Sequence, residues 1–307
     1  MEKRENTIGL FALIEARVLH FRSLGKVKTS RNYACALRQV WLFRGGCDIP
    51  LFDVSAALMR DFQDFLQQRG LRRNTISLYM RVLRAAYNHA VDDGLISVDR
   101  RPMRKVFTGR DATPKRALDG GVVRELILAD CRGDGTLEFA RDMFLFSIYM
   151  QGMAFVDIAY LQKSQYADGC VAYCRHKTGR LLVVGVQPCA LEIIRRYAVA
   201  DDACPYLFPI LYNPLTRSPV SYDTALRTHN KRLGRLASAL GMQGRLTSYV
   251  ARHTWASLAK RSGVSVNVIC EAMGHSSPAV TGIYLAELDA DVVTADNRKV
   301  LYALSGV

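Results

Sequence analysis

Apolar residues in the first third of the chain recur at helical spacing. Ile8, Phe11, Ala12 and the run Glu15 to Leu19 begin the pattern. Thr29-Ser30-Arg31 reads as the cap of a second helix running to about Phe43, where Gly45-Gly46 stops it. A third is predicted from Val54 to Gln68, ended by Gly70. The clearest is Thr75 to Val91, in which Ile76, Met80, Leu83, Tyr87 and Ala90 fall at i, i+4, i+7, i+11 and i+14 on one helical face. Residues 107–117 break the rhythm. They are polar, contain Pro114 and lack apolar periodicity, so they read as a linker between a domain over 1–106 and another over 118–307. Helices are predicted again over Gly121–Ala129 and Leu137–Tyr149. The period then shortens to two. Cys170–Arg175 and Leu181–Val186 read as short strands joined by the hairpin loop His176-Lys177-Thr178-Gly179-Arg180. Further helices fall near Ala190–Val199, Ser221–Gly241, Val250–Ser262 and Val266–Met273, with a terminal one over Asp289–Leu304. The class is mainly α, with a small β-hairpin in the second domain.

Composition fits that division. The chain has 307 residues, half of them hydrophobic, enough for two domains each with its own core. No apolar run reaches the roughly 18–20 residues of a membrane span, and the charged start Met1-Glu2-Lys3-Arg4-Glu5-Asn6 does not read as a signal peptide. The expectation is a cytoplasmic protein with no membrane partner. The eight cysteines are scattered; Cys170-x3-Cys174 with His176 comes nearest to a metal site, but no second ligand pair stands at zinc-site spacing. Free thiols, no metal and no cofactor are expected.

Charge changes the picture more. The net charge of +14 is uneven: residues 1–117 hold 22 Lys/Arg against 11 Asp/Glu, and the remainder 20 against 17. A basic first third is the footprint of a polyanion binder, since each phosphate contact releases condensed counterions. Nucleic acid fits this, and so on charge alone do a ribosome or an anionic membrane. On the fourth predicted helix Arg81, Arg84 and Asn88 share a stripe, with Arg72-Arg73 just before it. A solvated charged face explains such a pattern too. Its single sign, in the most basic region, makes Arg72, Arg73, Arg81 and Arg84 candidate DNA contacts.

The chemistry-bearing residues lie near the C-terminus. Arg252, His275 and Tyr284 occur in Tyr249-Val250-Ala251-Arg252-His253-Thr254, then Gly274-His275-Ser276-Ser277, then Ile283-Tyr284. Breaking a phosphodiester without metal needs a nucleophile, charge on the non-bridging oxygens, a proton for the leaving oxygen, and geometry. Arginine matches two phosphate oxygens at once and stays charged. The His275 imidazole can hydrogen-bond a non-bridging oxygen. A phenol, with a pKa near 10, becomes a nucleophile once neighbouring charge or a base activates it. Structural tyrosines, a salt-bridged arginine and a satisfied histidine are the plain alternatives.

In these motifs the chain resembles the tyrosine recombinases, the phage-integrase family. Arg252-His253-Thr254-Trp255-Ala256 is similar to the family's second box, Met273-Gly274-His275-Ser276-Ser277 to its third, and Tyr284 falls where its nucleophile falls. The resemblance implies a two-domain DNA clamp: a helical core-binding domain and a catalytic domain. It implies attack by Tyr284 to give a 3′-phosphotyrosine and a free 5′-hydroxyl, with Arg252 and His275 on the phosphate, His253 in support, and Lys177 on the hairpin as proton donor to the leaving oxygen. It implies double-stranded DNA as partner and a homotetramer on paired sites, in which the terminal helix docks on a neighbour. A DNA-bending accessory protein is a further expected partner.

Two positions depart from the family pattern. Tyr249 stands where its second box opens with histidine, three residues before the arginine; a tyrosine hydroxyl can still hydrogen-bond a phosphate or orient the nucleophile. Gln151, in Tyr149-Met150-Gln151-Gly152-Met153, stands where its first arginine falls. A neutral amide lacks the charge, and losing a transition-state donor costs on the order of 3–4 kcal/mol. Arg141 is one substitute to test, although it lies about 15 Å before Gln151 along a helix. The expected activity is site-specific integration, excision or inversion of DNA, as in a bacterial mobile element. The alternative is a DNA-binding protein that keeps the fold and has lost catalysis through Gln151. Type IB topoisomerase chemistry, which uses the same groups, is a distant third.

Overall fold

A computed structural model of the chain describes residues 8–96, 99–111, 117–131, 133–275, 277 and 281–282. Two compact units result, Met1–Thr113 and Pro114–Val307.

The first unit is helical: α1 (Leu10–Ser23), α2 (Val27–Phe43), α3 (Ala56–Gln68) and α4 (Arg73–Asp92), then a short 3-10 turn over Pro102–Lys105. On α4 the face that the periodicity selects is buried, Ile76, Met80, Leu83, Tyr87 and Ala90 alike. At α1 the expected Ile8, Ala12 and Leu19 are exposed, and Leu10, Leu13, Ile14 and Val18 form the buried face instead. Leu10, Ile14, Ala36, Val40, Met59, Phe62, Leu66, Ile76, Met80, Leu83 and Ala90 are all buried in one cluster. The predicted cap of α2 is corrected. The helix starts at Val27, and Ser30 lies inside it, where its buried hydroxyl donates to the Val18 carbonyl of α1 at 2.8 Å. The cap of α1 comes from far along the chain: Asp48 Oδ1 accepts the Phe11 amide at 2.7 Å. The stretch after residue 106 stays on this unit at first. Asp111 and Asn74 exchange amide hydrogen bonds, Gly109 O accepts from Ser77, and Phe107 N donates to Gln63.

The second unit is built on α6 (Gly135–Tyr149), buried on almost every side over residues 140–148. A helix apolar all round belongs in the middle of a domain. Around it stand α5 (Gly120–Leu128), α8 (Pro188–Tyr197), α9 (Tyr222–Ala239) and α10 (Ser248–Arg261), with the short α7 (Phe155–Ala159) and α11 (Val266–Ala272). Strands β1 (Tyr166–Ala167), β2 (Cys170–Cys174) and β3 (Leu181–Gly185) form an antiparallel sheet in the order β1-β2-β3. Val171, Tyr173, Leu182 and Val184 face the core, as strict alternation requires. The sequence reading found β2 and β3 and missed β1, which is two residues long. It also missed the two-stranded ladder of β4 (Tyr212–Asn213) and β5 (Ser218–Pro219). The predicted terminal helix over Asp289–Leu304 lies outside the described residues.

Candidate active site

Three pieces of the second unit meet at one place: the turn after α6, the middle of α10 and the residues after α11. Past Tyr149 the chain reverses through consecutive left-handed residues, Gln151 at φ 57° and Gly152 at φ 71°. The Ser147 hydroxyl closes the turn by donating to Met153 O at 2.6 Å. It is the left-handed φ that calls for glycine at 152, since a Cβ there would meet the Arg252 Cα only in ordinary contact at 3.4 Å. The turn thus delivers the Gly152 carbonyl to Arg252, whose Nη1 donates to it at 2.6 Å.

Arg252, on α10, is 2 % exposed. Its Nη2 donates to Met273 O at 2.5 Å and approaches His275 Nε2 at 3.1 Å. A guanidinium only donates, so His275 accepts at Nε2 and carries its proton on Nδ1, 2.9 Å from Thr281 Oγ1. Burial first, then the charges of Arg252, Arg175 and Lys177, push the His275 pKa down to about 4. The imidazole is therefore neutral near pH 7. Gly274 sets it in place with φ 59°, and the His275 amide donates to Cys270 O at 3.0 Å.

The β2–β3 hairpin is fastened to the same residues. Arg175 O accepts the amides of Thr178 and Gly179, and Arg175 N donates to Arg180 O. Lys177 stands exposed in that turn. At its base the buried Asp157 of α7 accepts the His176 amide at 2.8 Å. Burial raises the Asp157 pKa, while that hydrogen bond and the charges of Arg175 and Arg252 pull it back. On the far arm Arg180 Nη1 donates to His275 O at 3.2 Å. Arg175, also buried, donates from Nη1 to Gly274 O at 2.8 Å.

Of the predicted site residues, Arg252 and His275 are in contact, Gln151 adjoins the Gly152 carbonyl that Arg252 grips, and Lys177 rides on the attached hairpin. Tyr249 is half exposed on α10, and its ring meets that of His253 edge-on at 4.8 Å. Tyr284 lies outside the described residues. Arg141 is held elsewhere: Asp142 Oδ1 at 2.8 Å and the Ala129 carbonyl take its guanidinium. Sequence reasoning missed Asp157, Arg175, Arg180 and Thr281. Arg175 had a signal, because the alternation Val171, Tyr173, Arg175 puts it on the inward face of β2. Asp157, Arg180 and Thr281 act through contacts distant in sequence and had none.

On the first unit, Arg72 and Arg73 are exposed at the start of α4. The Arg73 guanidinium lies 4.0 Å from the centre of the Phe107 ring and 3.4 Å from Asp111. Arg81 and Arg84 are half-buried, and Arg84 Nη2 donates to Met103 O at 2.9 Å, so it ties α4 to the Pro102–Lys105 turn. Among the described residues no cluster of three His, Cys, Asp or Glu side chains is placed to hold a metal, and no helix is long and apolar enough to cross a membrane.

This arrangement, a buried arginine on a neutral histidine beside a lysine-bearing hairpin, suits a phosphodiester, and comparison with known proteins agrees. Residues 9–106 match the phage integrase SAM-like domain, and residues 118–291 match the phage integrase family. The chain belongs to the phage integrase family, the tyrosine recombinases. It is a DNA strand-transferring enzyme of the site-specific recombinase class. A tyrosine recombinase of Pseudothermotoga lettingae is 22% identical over 295 residues, covering 92% of this chain and 94% of that one. Among solved structures, the Tn1549 transposon integrase in complex with a circular intermediate DNA has a TM-score of 0.70 at 15% identity, covering 95% of this chain and 99% of its own. A lambda integrase dimer bound to a core site has a TM-score of 0.67 at 16% identity, covering 93% and 81%. At these identities the structures speak for the fold.

Proposed function

We propose that Tyr284 is the nucleophile and that Arg252, His275 and Lys177 carry the strand transfer, acting on duplex DNA. The Tyr284 phenol gives up its proton to water as its oxygen bonds to phosphorus. The bond from phosphorus to the 5′ oxygen breaks, and the Lys177 ammonium gives that oxygen a proton, regained from water. A 3′-phosphotyrosine and a 5′-hydroxyl result. The reverse step, with a 5′-hydroxyl from another duplex, rejoins strands without external energy. Arg252 supplies charge to the non-bridging oxygens, which grows in value as the transition state forms. Neutral His275, accepting at Nε2 and tied through Nδ1 to Thr281, orients Arg252 towards the phosphate, while Tyr249 and Gln151 flank the site in altered supporting roles.

One observation carries this reading. The Arg252 guanidinium, the His275 ring at 3.1 Å and the hairpin that bears Lys177 are bound into one cluster through Gly152, Met273, Gly274 and Asp157. Residues 1–106 bind DNA in this reading, Arg72 and Arg73 reaching phosphates most directly; 107–117 link them to the catalytic domain, 118–307. Four copies act on paired sites of a mobile element, an arrangement for which a lambda integrase tetramer bound to a Holliday junction is a precedent of the same fold.

The test is covalent trapping on nicked duplexes drawn from DNA flanking the gene, with wild type and Tyr284→Phe compared on denaturing gels. Wild type is expected to form an adduct, and Tyr284→Phe to bind DNA nearly as well and form none. An adduct that persists in Tyr284→Phe moves the nucleophile elsewhere. Binding without any adduct leaves a DNA-binding protein that has lost catalysis.

A further inference from the structure

The buried Asp157 carboxylate feels both buried guanidinia, those of Arg252 and Arg175. The same two cations act together on Tyr173 and on His275. They also grip consecutive carbonyls, Arg252 that of Met273 at 2.5 Å and Arg175 that of Gly274 at 2.8 Å. Two buried cations thus converge on one segment, with the buried Asp157 carboxylate and Lys177 in the same cluster, a setting that suits a bound anion.

Arg175 is the less committed of the two. Its Nη1 is taken by Gly274, but its Nε is buried with no hydrogen-bond partner, and so is Asp157 Oδ2. A staple for the hairpin would need only the one bond. Burying a guanidinium and leaving a donor unmade is costly, and such orphans concentrate where a ligand completes them.

We propose that Arg175 is a catalytic residue, the second phosphate-binding cation of the site, and that it fills the role that Gln151 lacks the charge to perform. The inference rests on the recombinase reading above. In the transition state Arg175 and Arg252 share the charge on the non-bridging oxygens, one guanidinium from the residue that follows β2 and the other from α10. Gln151 is then free to be neutral, because the cation reaches the phosphate from the hairpin instead of from the turn after α6. Arg141, bound to Asp142 and Ala129, has no part in it.

A double-mutant cycle tests this, with wild type, Arg175→Lys, Gln151→Arg and the double variant assayed by single-turnover trapping on a preferred nicked duplex. Melting curves and DNA affinity are measured alongside. Arg175→Lys is expected to lower cleavage roughly 100-fold while DNA affinity stays within a few-fold. In the Gln151→Arg background the same change is expected to cost less than about tenfold, because the restored arginine covers the loss. An equal loss in both backgrounds, or undiminished cleavage by Arg175→Lys, overturns the proposal. Should Arg175→Lys fail to fold, Gln151→Arg alone decides. A gain under about tenfold agrees with a role already filled, and a gain of about 100-fold means the position was empty. A wild type that binds its duplex and forms no adduct overturns the recombinase reading and this proposal together. An adduct in the wild type that Arg175→Lys retains at full rate removes this proposal alone.

Discussion

Arg252 is both clamp and keystone. Its fork spans the Gly152 and Met273 carbonyls and touches His275, so three segments far apart in sequence are held by one side chain. Lysine keeps the charge but not the fork. Arg252→Lys is expected to lose on the order of 100-fold in cleavage rate, with DNA affinity within a few-fold, in a trapping assay paired with filter binding. Cleavage at the wild-type rate would remove Arg252 from the phosphate. His275 shows what burial does at this scale: the sequence offers a histidine near its own protonation midpoint, and desolvation beside Arg252 makes it neutral. Gly274 is equally constrained, since its φ is left-handed and a Cβ would meet Leu182 Cδ1 at 3.1 Å and Arg175 Cδ at 3.3 Å.

The hairpin is the element that carries Lys177, the proposed proton donor. Period-two alternation predicts β2 and β3, and the glycine at 179 fits the loop with φ 68°. What holds the loop near the site is outside the hairpin: Asp157 at its base and His275 O on the Arg180 side. Asp157→Ala removes the acceptor for the His176 amide and is expected to loosen the loop. Limited trypsin digestion should then cut faster after Lys177 and Arg180, with a cleavage-rate loss larger than the fall in DNA affinity. Asp157→Asn retains a side-chain acceptor and should protect the loop nearly as well as the native residue. Equal protease resistance in all three proteins would show that the hairpin does not depend on this anchor. Helix α4 teaches a related lesson. Its apolar face was legible, whereas its basic stripe divides in the structure: Arg84 is spent on Met103 O, and Arg72 and Arg73 remain exposed.

For the whole molecule, pH and salt report on different parts. His275 and His229 both have depressed pKa values, about 4 and about 3, burial being the first cause in each. His229 stacks on Phe155 at 4.1 Å, and its Nε2 is buried without a partner. With unfolded values near 6.5, the unfolded chain takes up these protons first. Stability should fall as pH drops below about 6.5 and continue to fall to about 4. The loss is on the order of 2 kcal/mol for each histidine at pH 5. Asp157, raised by burial, works against this in the acid range. Urea unfolding at pH 7 and pH 5 checks the direction, and His229→Phe should flatten part of the slope. Equal stability at the two pH values would contradict these buried neutral imidazoles. Salt reads the basic unit instead. Arg72→Ala and Arg73→Ala should each reduce the slope of log affinity against log salt by about 1, measured by anisotropy on one duplex. Unchanged slopes would take them off the phosphates.

Sequence by itself determined the helical class, the core face of α4, the two main strands, the uneven charge and the family, because each rests on local periodicity, composition or a short motif. It also held a signal for Arg175, inward by alternation on β2, that only the neighbouring guanidinium makes meaningful. Tertiary structure alone decided the rest. It brought Gly152, Arg252, Met273 and His275 together across 100 and 21 residues. It took the α1 cap from Asp48, turned the supposed cap Ser30 into an interhelix tie, and set Arg141 apart from the site. The physical reason is common to all of these. Periodicity says which face of an element is buried, but partners and pKa shifts depend on what stands opposite, and that is fixed only when the chain closes on itself.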